Sequence, residues 1–183
     1  MRKLIMWNLI TLDGYFEGAN SWDLDFHERV YCKEFEDFSI EQLKSTDILV
    51  FGKTTYIGMA DYWTTTEENV EMAKYMNEIP KAVCSTTLKS ANWNNTTIIS
   101  NAVVDIARLK TEGNGNMSVF GSGNLSEVLM KAGLFDEFRL CVSPVFLGKG
   151  RLLFNQGIPN QKLKLIEARP LETGAVILTY TPD

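Results

Sequence analysis

The sequence predicts an α/β domain with a mostly parallel central sheet, flanking helices, and antiparallel hairpin strands near the C-terminus. Short apolar runs rich in β-branched residues recur along the whole chain. Helix-like segments separate these runs through the first two thirds, and this alternation is typical of parallel strands joined by crossover helices. After Gly133 the pattern becomes strand-rich, and Pro170 and Gly174 stand between two strand-like runs, as in a hairpin.

The expected strands, in chain order, cover residues 2–10, 47–51, 81–84, 96–99, 117–120, 137–142, 162–166 and 175–180. Several are continuous apolar runs without alternation, which is typical of strands covered on both faces. The expected helices cover residues 24–45, 53–60, 67–78, 101–110 and 124–132. The fourth helix has both ends marked, because Ser100 or Asn101 can cap its start and Gly113 follows its basic last turn.

Length and composition predict one globular domain over residues 1–183, with 45% apolar and 22% charged residues. The net charge is -5 without a dense basic block, so no nucleic-acid partner is expected. No apolar run approaches the roughly 20 residues of a membrane span. The three cysteines are widely spaced and His27 is the only histidine. We therefore expect no disulfide framework, no metal site and a cytoplasmic location, with His27 on a helix surface.

The segment "VFGSGNLSEVL", residues 119–129, places two glycines between a strand and a helix. Such a turn lets backbone N–H groups and the helix dipole approach a phosphate. A second interpretation needs no ligand, because Asn124 and Glu127 have the spacing of a capping box that satisfies the same N–H groups. Both interpretations stay open at this point.

The segment "DILVFGKTTYIGM" ends a strand at Gly52 and opens a helix with Lys53, Thr54 and Thr55. It is no P-loop, because that motif needs a glycine where Asp47 stands. A positive charge and two hydroxyls at a helix start suit a phosphate ester, although either threonine can also serve as a plain N-cap.

A third expected strand, in "KAVCSTTL", is followed by Ser85 and Thr86. Sheets of this class bind ligands at the carboxyl ends of their strands. Three polar strand ends therefore predict one shared binding site.

Acidic residues cluster near the N-terminus at Asp13, Asp23, Asp25 and Glu28. A carboxyl beside an aromatic residue such as Trp22 would be partly desolvated, which raises its pKa toward the range useful for proton transfer. The alternative is that all four carboxylates are simply solvated.

These motifs resemble the dihydrofolate reductase-like family, specifically the reductase domain of riboflavin biosynthesis and its stand-alone relatives. The matching pieces are "LDGYFEG", "DILVFGKTTYIGM", the closing hairpin and "VFGSGNLSEVLMKAGLFDEFRLCVSPVFLGKGRLLF". The last is the most specific, with Gly-Ser-Gly, Gly-Leu-x-Asp-Glu and Pro-Val-x-Leu-Gly-x-Gly in order. The resemblance covers nearly the whole chain and implies a three-layer fold. It also implies a homodimer, for which "LCVSPVFL" is either a contact segment or a core strand.

The resemblance implies NADPH as cofactor. By motif, its phosphates would contact Gly52, Lys53, Thr54 and Thr55. Its adenosine would lie near Ser85 and Thr86. Its pyrophosphate would be bound by Gly121, Ser122, Gly123, Asn124 and Leu125. Lys53 would lie on the side of the 2′-phosphate. The cofactor carries the redox chemistry, and the protein supplies position and electrostatics.

The resemblance further implies hydride transfer to a small heterocycle of pterin or pyrimidine type. The nearest activity is 5-amino-6-(5-phosphoribosylamino)uracil reductase. Alternatives are dihydrofolate reductase activity and a nucleotide-binding module without turnover. Asp13, Trp22 and Phe120 are the expected pocket residues, with Asp23 or Asp25 as the catalytic acid. Phe120 stands where riboflavin-pathway domains commonly carry a glutamate, which predicts a retained cofactor and a changed substrate.

Overall fold

The computed structural model describes residues 1–183 and contains ten strands and five α-helices. The strands are β1 (Leu4–Thr11), β2 (Tyr15–Glu17), β3 (Thr46–Gly52), β4 (Lys81–Cys84), β5 (Thr96–Ile99), β6 (Asn116–Phe120), β7 (Glu137–Ser143), β8 (Arg151–Leu152), β9 (Leu163–Pro170) and β10 (Val176–Pro182). The helices are α1 (Lys33–Lys44), α2 (Lys53–Thr65), α3 (Val70–Glu78), α4 (Ala102–Thr111) and α5 (Gly123–Lys131). A short 3-10 helix covers Asp25–Arg29.

Eight strands form one central sheet in the order β5, β4, β3, β6, β1, β7, β10, β9. The first six are mutually parallel, with β1 hydrogen-bonded between β6 and β7. Strand β10 runs antiparallel to β7, and β9 runs antiparallel to β10. The predicted parallel sheet with antiparallel C-terminal strands is therefore confirmed.

Helices cover both faces of this sheet. Successive residues of β1 point to opposite faces, so Met6 joins the apolar cluster under α4 and α5, whereas Trp7 joins the cluster under α1. On that second face Phe51 packs with Trp93 in a cluster that includes residues of α2 and α3. Burial on both faces explains why the strands read as continuous apolar runs, and it confirms the three layers.

The segment predicted as one helix, residues 24–45, is divided in two. The 3-10 helix ends at Arg29 and α1 begins at Lys33, with the fully buried Val30 between them. Cys32 is the N-cap of α1 and has an extended backbone. The chain must turn here to place both Val30 and the face of α1 against the sheet, and helical periodicity does not reveal such a turn.

Strands β2 and β8 form a separate antiparallel ribbon that the sequence did not predict. They contain three and two residues, which is too short for a periodic pattern to identify. This ribbon brings Glu17 and Arg151 together from distant parts of the chain.

The strand portion of "LCVSPVFL" belongs to β7, which lies between β1 and β10. Leu140 and Cys141 are buried in the core. The core interpretation of this portion is therefore confirmed, while the homodimer and the contact segment remain predictions. None of the helices combines the length and apolar character needed to cross a bilayer.

Helix α4 has the capped start that the sequence predicts. Asn101 Oδ1 accepts a hydrogen bond from the N–H of Val104 at 3.2 Å, and Asp105 Oδ2 accepts from the N–H of Asn101 at 3.1 Å. We expect Asn101→Ala to lower the free energy of unfolding by about 1 kcal/mol in urea denaturation. Asn124→Ala is the control, since α5 has no side-chain cap, and should cost less than about 0.5 kcal/mol. Equal losses would contradict the cap assignment.

Candidate functional site

A cleft of about 550 Å³ opens at the carboxyl ends of the parallel strands. Its volume lies in the range of small-molecule sites, and its position is the one expected for open α/β sheets. The opening exists because β1 continues beyond β6, whose last residue, Phe120, is the register partner of Trp7. Asn8 and Leu9 therefore lie beside the cleft.

The lining residues fall into two groups, which we call the polar half and the aromatic half. The polar half comprises Gly52, Lys53, Thr54, Thr55, Ser85, Thr86, Thr87, Ser100, Gly121, Ser122, Gly123, Asn124 and Leu125. The aromatic half comprises Trp7, Leu9, Trp22, Leu24, His27, Met59 and Phe120. All eleven residues predicted to bind the cofactor lie in the polar half, and their role in binding stays a prediction.

Helices α2 and α5 both begin at the polar half without a side-chain cap. Their N-cap residues, Gly52 and Ser122, make no side-chain capping bond. The first N–H groups of each helix have no intrahelical partner, and the helix dipole adds a positive potential there. Two such helix ends at one cleft suit a ligand with phosphate groups.

The Gly-Ser-Gly turn after β6 is held against the start of α2. The N–H of Gly52 donates to Ser122 Oγ at 3.0 Å, and the N–H of Ser122 donates to Thr55 Oγ1 at 3.2 Å. Ser122 Oγ also donates to the carbonyl of Phe120 at 3.1 Å. Gly121 has a φ of +55°, a conformation that glycine adopts without steric cost. These bonds bring two of the predicted phosphate-binding segments into one rigid unit.

The capping-box interpretation of this turn is wrong. The N-cap of α5 is Ser122, which lies two residues before Asn124. Asn124 Oδ1 instead accepts a hydrogen bond from Arg151 Nη2 at 3.0 Å. Glu127 forms an ion pair with Lys131 at 2.6 Å, one turn further along the helix. The N–H groups at the start of α5 are therefore left without the side-chain partners that the sequence suggested.

The third polar strand end joins the same half of the cleft. Lys53 Nζ donates to Thr87 Oγ1 at 3.0 Å, linking the start of α2 to the segment after β4. Ser85 Oγ accepts from the N–H groups of Thr87 and Leu88 at 3.2 and 2.9 Å. Thr86 lines the cleft between them. The predicted convergence of three polar strand ends is observed.

Phe16, Glu17 and Arg151 are among the lining residues that were not predicted from the sequence. Arg151 Nη1 donates to Glu17 Oε2 at 2.8 Å, and its guanidinium lies 5.2 Å from the centroid of the Phe16 ring. Gly123 makes room for this ribbon, because a Cβ there would lie 2.5 Å from Phe16 Cζ. The motifs "LDGYFEG" and "GKGRLLF" contain these residues, but 134 positions separate Glu17 from Arg151.

Trp22 and Phe120, two of the predicted pocket residues, line the aromatic half. Trp22 has a φ of +64°, and Glu17 Oε1 accepts a hydrogen bond from its N–H at 2.7 Å. Its indole lies directly against Gly58 of α2, where a Cβ would overlap the ring. Phe120 packs against apolar clusters on the α1 side and the α2 side. The two rings therefore form walls of the pocket.

Asp13, the other predicted pocket residue, lies outside the cleft lining, so that prediction is corrected. Its carboxylate accepts hydrogen bonds from the hydroxyl of Thr11 and from the N–H groups of Leu147 and Gly148. Burial raises the pKa of Asp13, but these hydrogen bonds outweigh it and leave the pKa below its ordinary value. Asp13 therefore anchors the loop that follows β7.

The two predicted catalytic acids are also absent from the cleft lining, which corrects their assignment. The carboxylate of Asp23 lies over Gly18, where a Cβ would overlap Asp23 Oδ2. Asp25 is exposed at the start of the 3-10 helix. Glu17 is the carboxylate that lines the cleft, and both of its oxygens accept hydrogen bonds from the protein.

His27, which was expected on a helix surface, is half-buried and lines the cleft. Its ring packs edge-on against Phe26, with centroids 4.6 Å apart, and lies near Tyr31. Burial lowers the pKa of His27 to about 4, so its imidazole is neutral at pH 7.

Because His27 is the only histidine, its titration can be followed directly. We expect the imidazole proton resonances to titrate with a midpoint of about 4. Between that pH and the ordinary value near 6.5, the unfolded chain binds more protons than the folded one. Stability therefore falls as the pH is lowered through this window, by up to about 3 kcal/mol. His27→Gln should remove this pH dependence, and a midpoint near 6.5 would contradict the burial argument.

Asn8 lines the cleft with a buried polar atom that lacks a partner. The residue is 3% exposed, and its Nδ2 makes no hydrogen bond within the protein. Leaving a buried amide donor unpaired costs about 1–3 kcal/mol. The nitrogen is covered by the protein itself, so it does not by itself indicate a ligand.

Comparisons with known proteins agree with this geometry. The family model of the RibD C-terminal domain matches residues 2–177. The Bacillus subtilis (strain 168) protein YyaP is 28% identical over 182 residues, covering 98% of this chain and 94% of that protein. A putative riboflavin biosynthesis protein from Shewanella sp. PV-4 has a TM-score of 0.82 at 20% identity, with 99% of each chain covered. The dihydrofolate reductase from Enterococcus faecalis, solved with NADP(H), has a TM-score of 0.63 at 13% identity over 99% of this chain and 96% of that chain. The predicted dihydrofolate reductase-like fold is confirmed.

Proposed function

Because the chain belongs to the RibD C-terminal domain family, we propose that it is an NADPH-dependent reductase of a small heterocycle. The family and the structural neighbours support an oxidoreductase. The observation that carries the cofactor proposal is the pair of uncapped helix starts, α2 and α5, at one cleft. Two cations, Lys53 and Arg151, lie at the same cleft, and an aromatic pocket adjoins it.

The polar half fits the phosphates of a dinucleotide. The N–H groups at the starts of α2 and α5 are donors for the pyrophosphate, and Gly121 and Gly123 keep side chains out of their way. Lys53, held by Thr87, is the donor for the 2′-phosphate that distinguishes NADPH from NADH. When bound, NADPH would supply a hydride to an electron-poor carbon of the substrate and leave as NADP⁺.

The aromatic half fits the two flat rings that must meet in such a reaction. Trp22 and Phe120 offer apolar ring surfaces, which can hold planar rings in place and exclude water, and the buried Trp7 lines the same half. His27 is the one ionisable group in this half, and its low pKa keeps it neutral. We therefore propose that the proton completing the reduction comes from water, with the His27 imidazole as a hydrogen-bond partner.

Thermal denaturation with added nucleotides tests the cofactor. A ligand that binds only the folded state raises the melting temperature, and at equal concentration the tighter ligand raises it more. NADPH is expected to raise it more than NADH at equal concentration, because the proposed partner of Lys53 is the 2′-phosphate, which NADH lacks. Equal shifts would contradict the role of Lys53, and no shift with either nucleotide would contradict the cofactor site.

Turnover separates the reductase from a nucleotide-binding module without chemistry. With NADPH bound, oxidation monitored at its nicotinamide absorbance should accelerate when a pterin or pyrimidine acceptor is added. If NADPH binds and no such acceptor accelerates its oxidation, the binding module becomes the better explanation.

A further inference from the structure

We propose that Glu17 and Arg151 are positioning residues, which hold Trp22 in place as the wall for the nicotinamide ring. This inference rests on the proposed function, because the ring belongs to the proposed cofactor. It deepens that proposal by giving a role to an ion pair that joins two distant segments of the chain and reaches the start of α5.

The carboxylate of Glu17 is the buried centre of this arrangement. Glu17 is 7% exposed, and each of its two oxygens accepts a hydrogen bond. Oε1 accepts from the N–H of Trp22 at 2.7 Å, and Oε2 accepts from Arg151 Nη1 at 2.8 Å. Hydrogen bonds that involve a charged group are roughly twice as strong as neutral ones. The backbone of Trp22 is therefore tied to a carboxylate that is itself fixed from its other side.

The conformation of Trp22 needs such support. Its φ of +64° lies in the left-handed region, which is unfavourable for a residue with a bulky side chain. Trp22 is also 41% exposed, so packing covers only part of it. The covered part lies against Gly58 of α2, where a Cβ would overlap the indole. Without the bond to Glu17, we expect the backbone to relax to a more favourable φ and to carry the indole away from α2.

Arg151 fixes the Glu17 carboxylate from the opposite strand of the ribbon. The two residues are register partners in the pairing of β2 with β8. Gly150 allows this close approach, because a Cβ there would overlap the carbonyl oxygen of Glu17. Arg151 Nη2 also donates to Asn124 Oδ1 at 3.0 Å, so the guanidinium fork joins the ribbon to the start of α5. Arg151 therefore orients Glu17, and Glu17 orients Trp22.

The indole held in this way adjoins the proposed pyrophosphate site. Trp22 packs on α2 at Gly58, and Glu17 and Arg151 link it to the start of α5. The starts of these two helices carry the proposed donors for the pyrophosphate, and in NADPH the nicotinamide nucleotide follows the pyrophosphate directly. The nicotinamide is therefore the ring expected against Trp22, since an indole offers a broad apolar face to a flat ring.

Fluorine NMR of protein labelled with 5-fluorotryptophan tests the positioning without any ligand. The four tryptophans give four resonances, and Trp22→Phe identifies that of Trp22. In Glu17→Gln the amide has one acceptor oxygen, so it cannot replace both oxygens of the carboxylate. We expect the Trp22 resonance to move toward its position in the urea-unfolded protein, while the other three stay in place. An unchanged Trp22 resonance would overturn the inference.

Arg151→Met is a second variant, should Glu17→Gln fail to fold. The side chain of Arg151 is 48% exposed, so its replacement leaves the core intact. Its loss frees the Glu17 carboxylate to turn, and the Trp22 resonance should move in the same direction as in Glu17→Gln. If it stays in place, Arg151 has no positioning role.

Titrations with NADPH and with 2′,5′-ADP test the wall itself, because the second nucleotide carries the 2′-phosphate but has no nicotinamide. Glu17→Gln is expected to raise the dissociation constant for NADPH about tenfold and to change that for 2′,5′-ADP less than about twofold. A merely structural role would lower the melting temperature and leave the ratio of the two constants unchanged. An unchanged ratio would therefore also overturn the inference.

Two further variants separate the wall from general effects of substitution. Glu127→Gln removes a carboxylate that pairs with Lys131 on α5, and it should alter neither the Trp22 resonance nor the ratio. Gly58→Ala favours the helical state of α2, but its Cβ displaces the indole, so the ratio should shift as in Glu17→Gln. A ratio retained in Gly58→Ala would contradict the wall.

The outcome for the proposed function stays distinguishable from the outcome for this inference. The thermal assay with NADPH decides the cofactor site in the unchanged protein. The fluorine spectrum needs no nucleotide, so it decides whether Glu17 and Arg151 position Trp22 even if NADPH does not bind.

Discussion

Gly121→Val is expected to weaken NADPH binding at least about 100-fold, which corresponds to about 2.7 kcal/mol. Valine is β-branched, and the φ of +55° at this position forces it into a strained conformation. Its Cβ would also lie 3.4 Å from Thr55 Cγ2, so the added methyl groups must displace the turn from α2. The N–H groups proposed to hold the pyrophosphate would then lose their positions. Isothermal titration calorimetry with NADPH measures the change.

Gly133→Val is the matched control for this variant. Gly133 follows the other end of α5 with a φ of +63°, and a Cβ there would meet nothing within 4 Å. Both variants should lose about 1–2 kcal/mol of stability from backbone strain. Only Gly121→Val should lose cofactor affinity, so a comparable loss in Gly133→Val would show that strain alone explains the result.

Lys53→Met is expected to raise the dissociation constant for NADPH about 30-fold and to change that for NADH less than about twofold, since a hydrogen bond to a charged group contributes about 1.5–3 kcal/mol. Methionine keeps much of the apolar stem of lysine and removes the ammonium group. The variant loses the bond from Nζ to Thr87 Oγ1, which lies in an exposed position. Parallel titrations with both nucleotides provide the measurement.

Lys44→Met removes the same charge at the C-terminal end of α1, where the lysine pairs with Glu71. Lys44 precedes β3, so it lies at the opposite end of the strand from Lys53. The affinity of the Lys44→Met variant for both nucleotides should stay within about twofold of the affinity of the unchanged protein, because exposed charges that far apart are largely screened by salt. An equal loss for NADPH and NADH in Lys53→Met would instead indicate that Lys53 contacts the pyrophosphate.

Local patterns in the sequence were sufficient for most of the fold. Seven of the eight expected strands, including the last, match sheet strands to within about two residues at each end, whereas the expected strand at 162–166 ends four residues before β9, which continues to Pro170. Most are strands covered on both faces, so their consecutive residues are apolar and can be recognised in the sequence. The Asn101 cap could also be predicted from the sequence, since its donor and acceptor lie only three positions apart.

The polar half could also be predicted, because its residues follow strands that run in the same direction. Parallel strands end at one edge of the sheet, so the segments at Gly52, Ser85 and Gly121 had to meet. The aromatic half offered no such rule. Its rings come from β1, β6, the 3-10 helix and the loop before that helix, and their proximity depends on how those elements pack.

The acids and the histidine show where local inference ends. Asp13, Asp23 and Asp25 are close in sequence, but the direction of each side chain is set by its own backbone and partners. One carboxylate binds a distant loop, one covers Gly18, and one faces solvent. His27 was expected on a helix surface but lies in the cleft. The sequence did not reveal that the chain turns at Val30, between the 3-10 helix and α1.

Consecutive residues thus specified the apolar runs that form strands, the helix starts and the polar segments that follow the strands. These features depend on hydrogen bonds and periodicity within a few positions. Contacts between distant segments specified the rest. The ribbon that joins Glu17 to Arg151 arises from packing between segments more than 100 residues apart, and the neutral His27 follows from a turn without a periodic signature. The aromatic half is therefore a property of the tertiary structure, whereas the polar half is already recognisable in the chain.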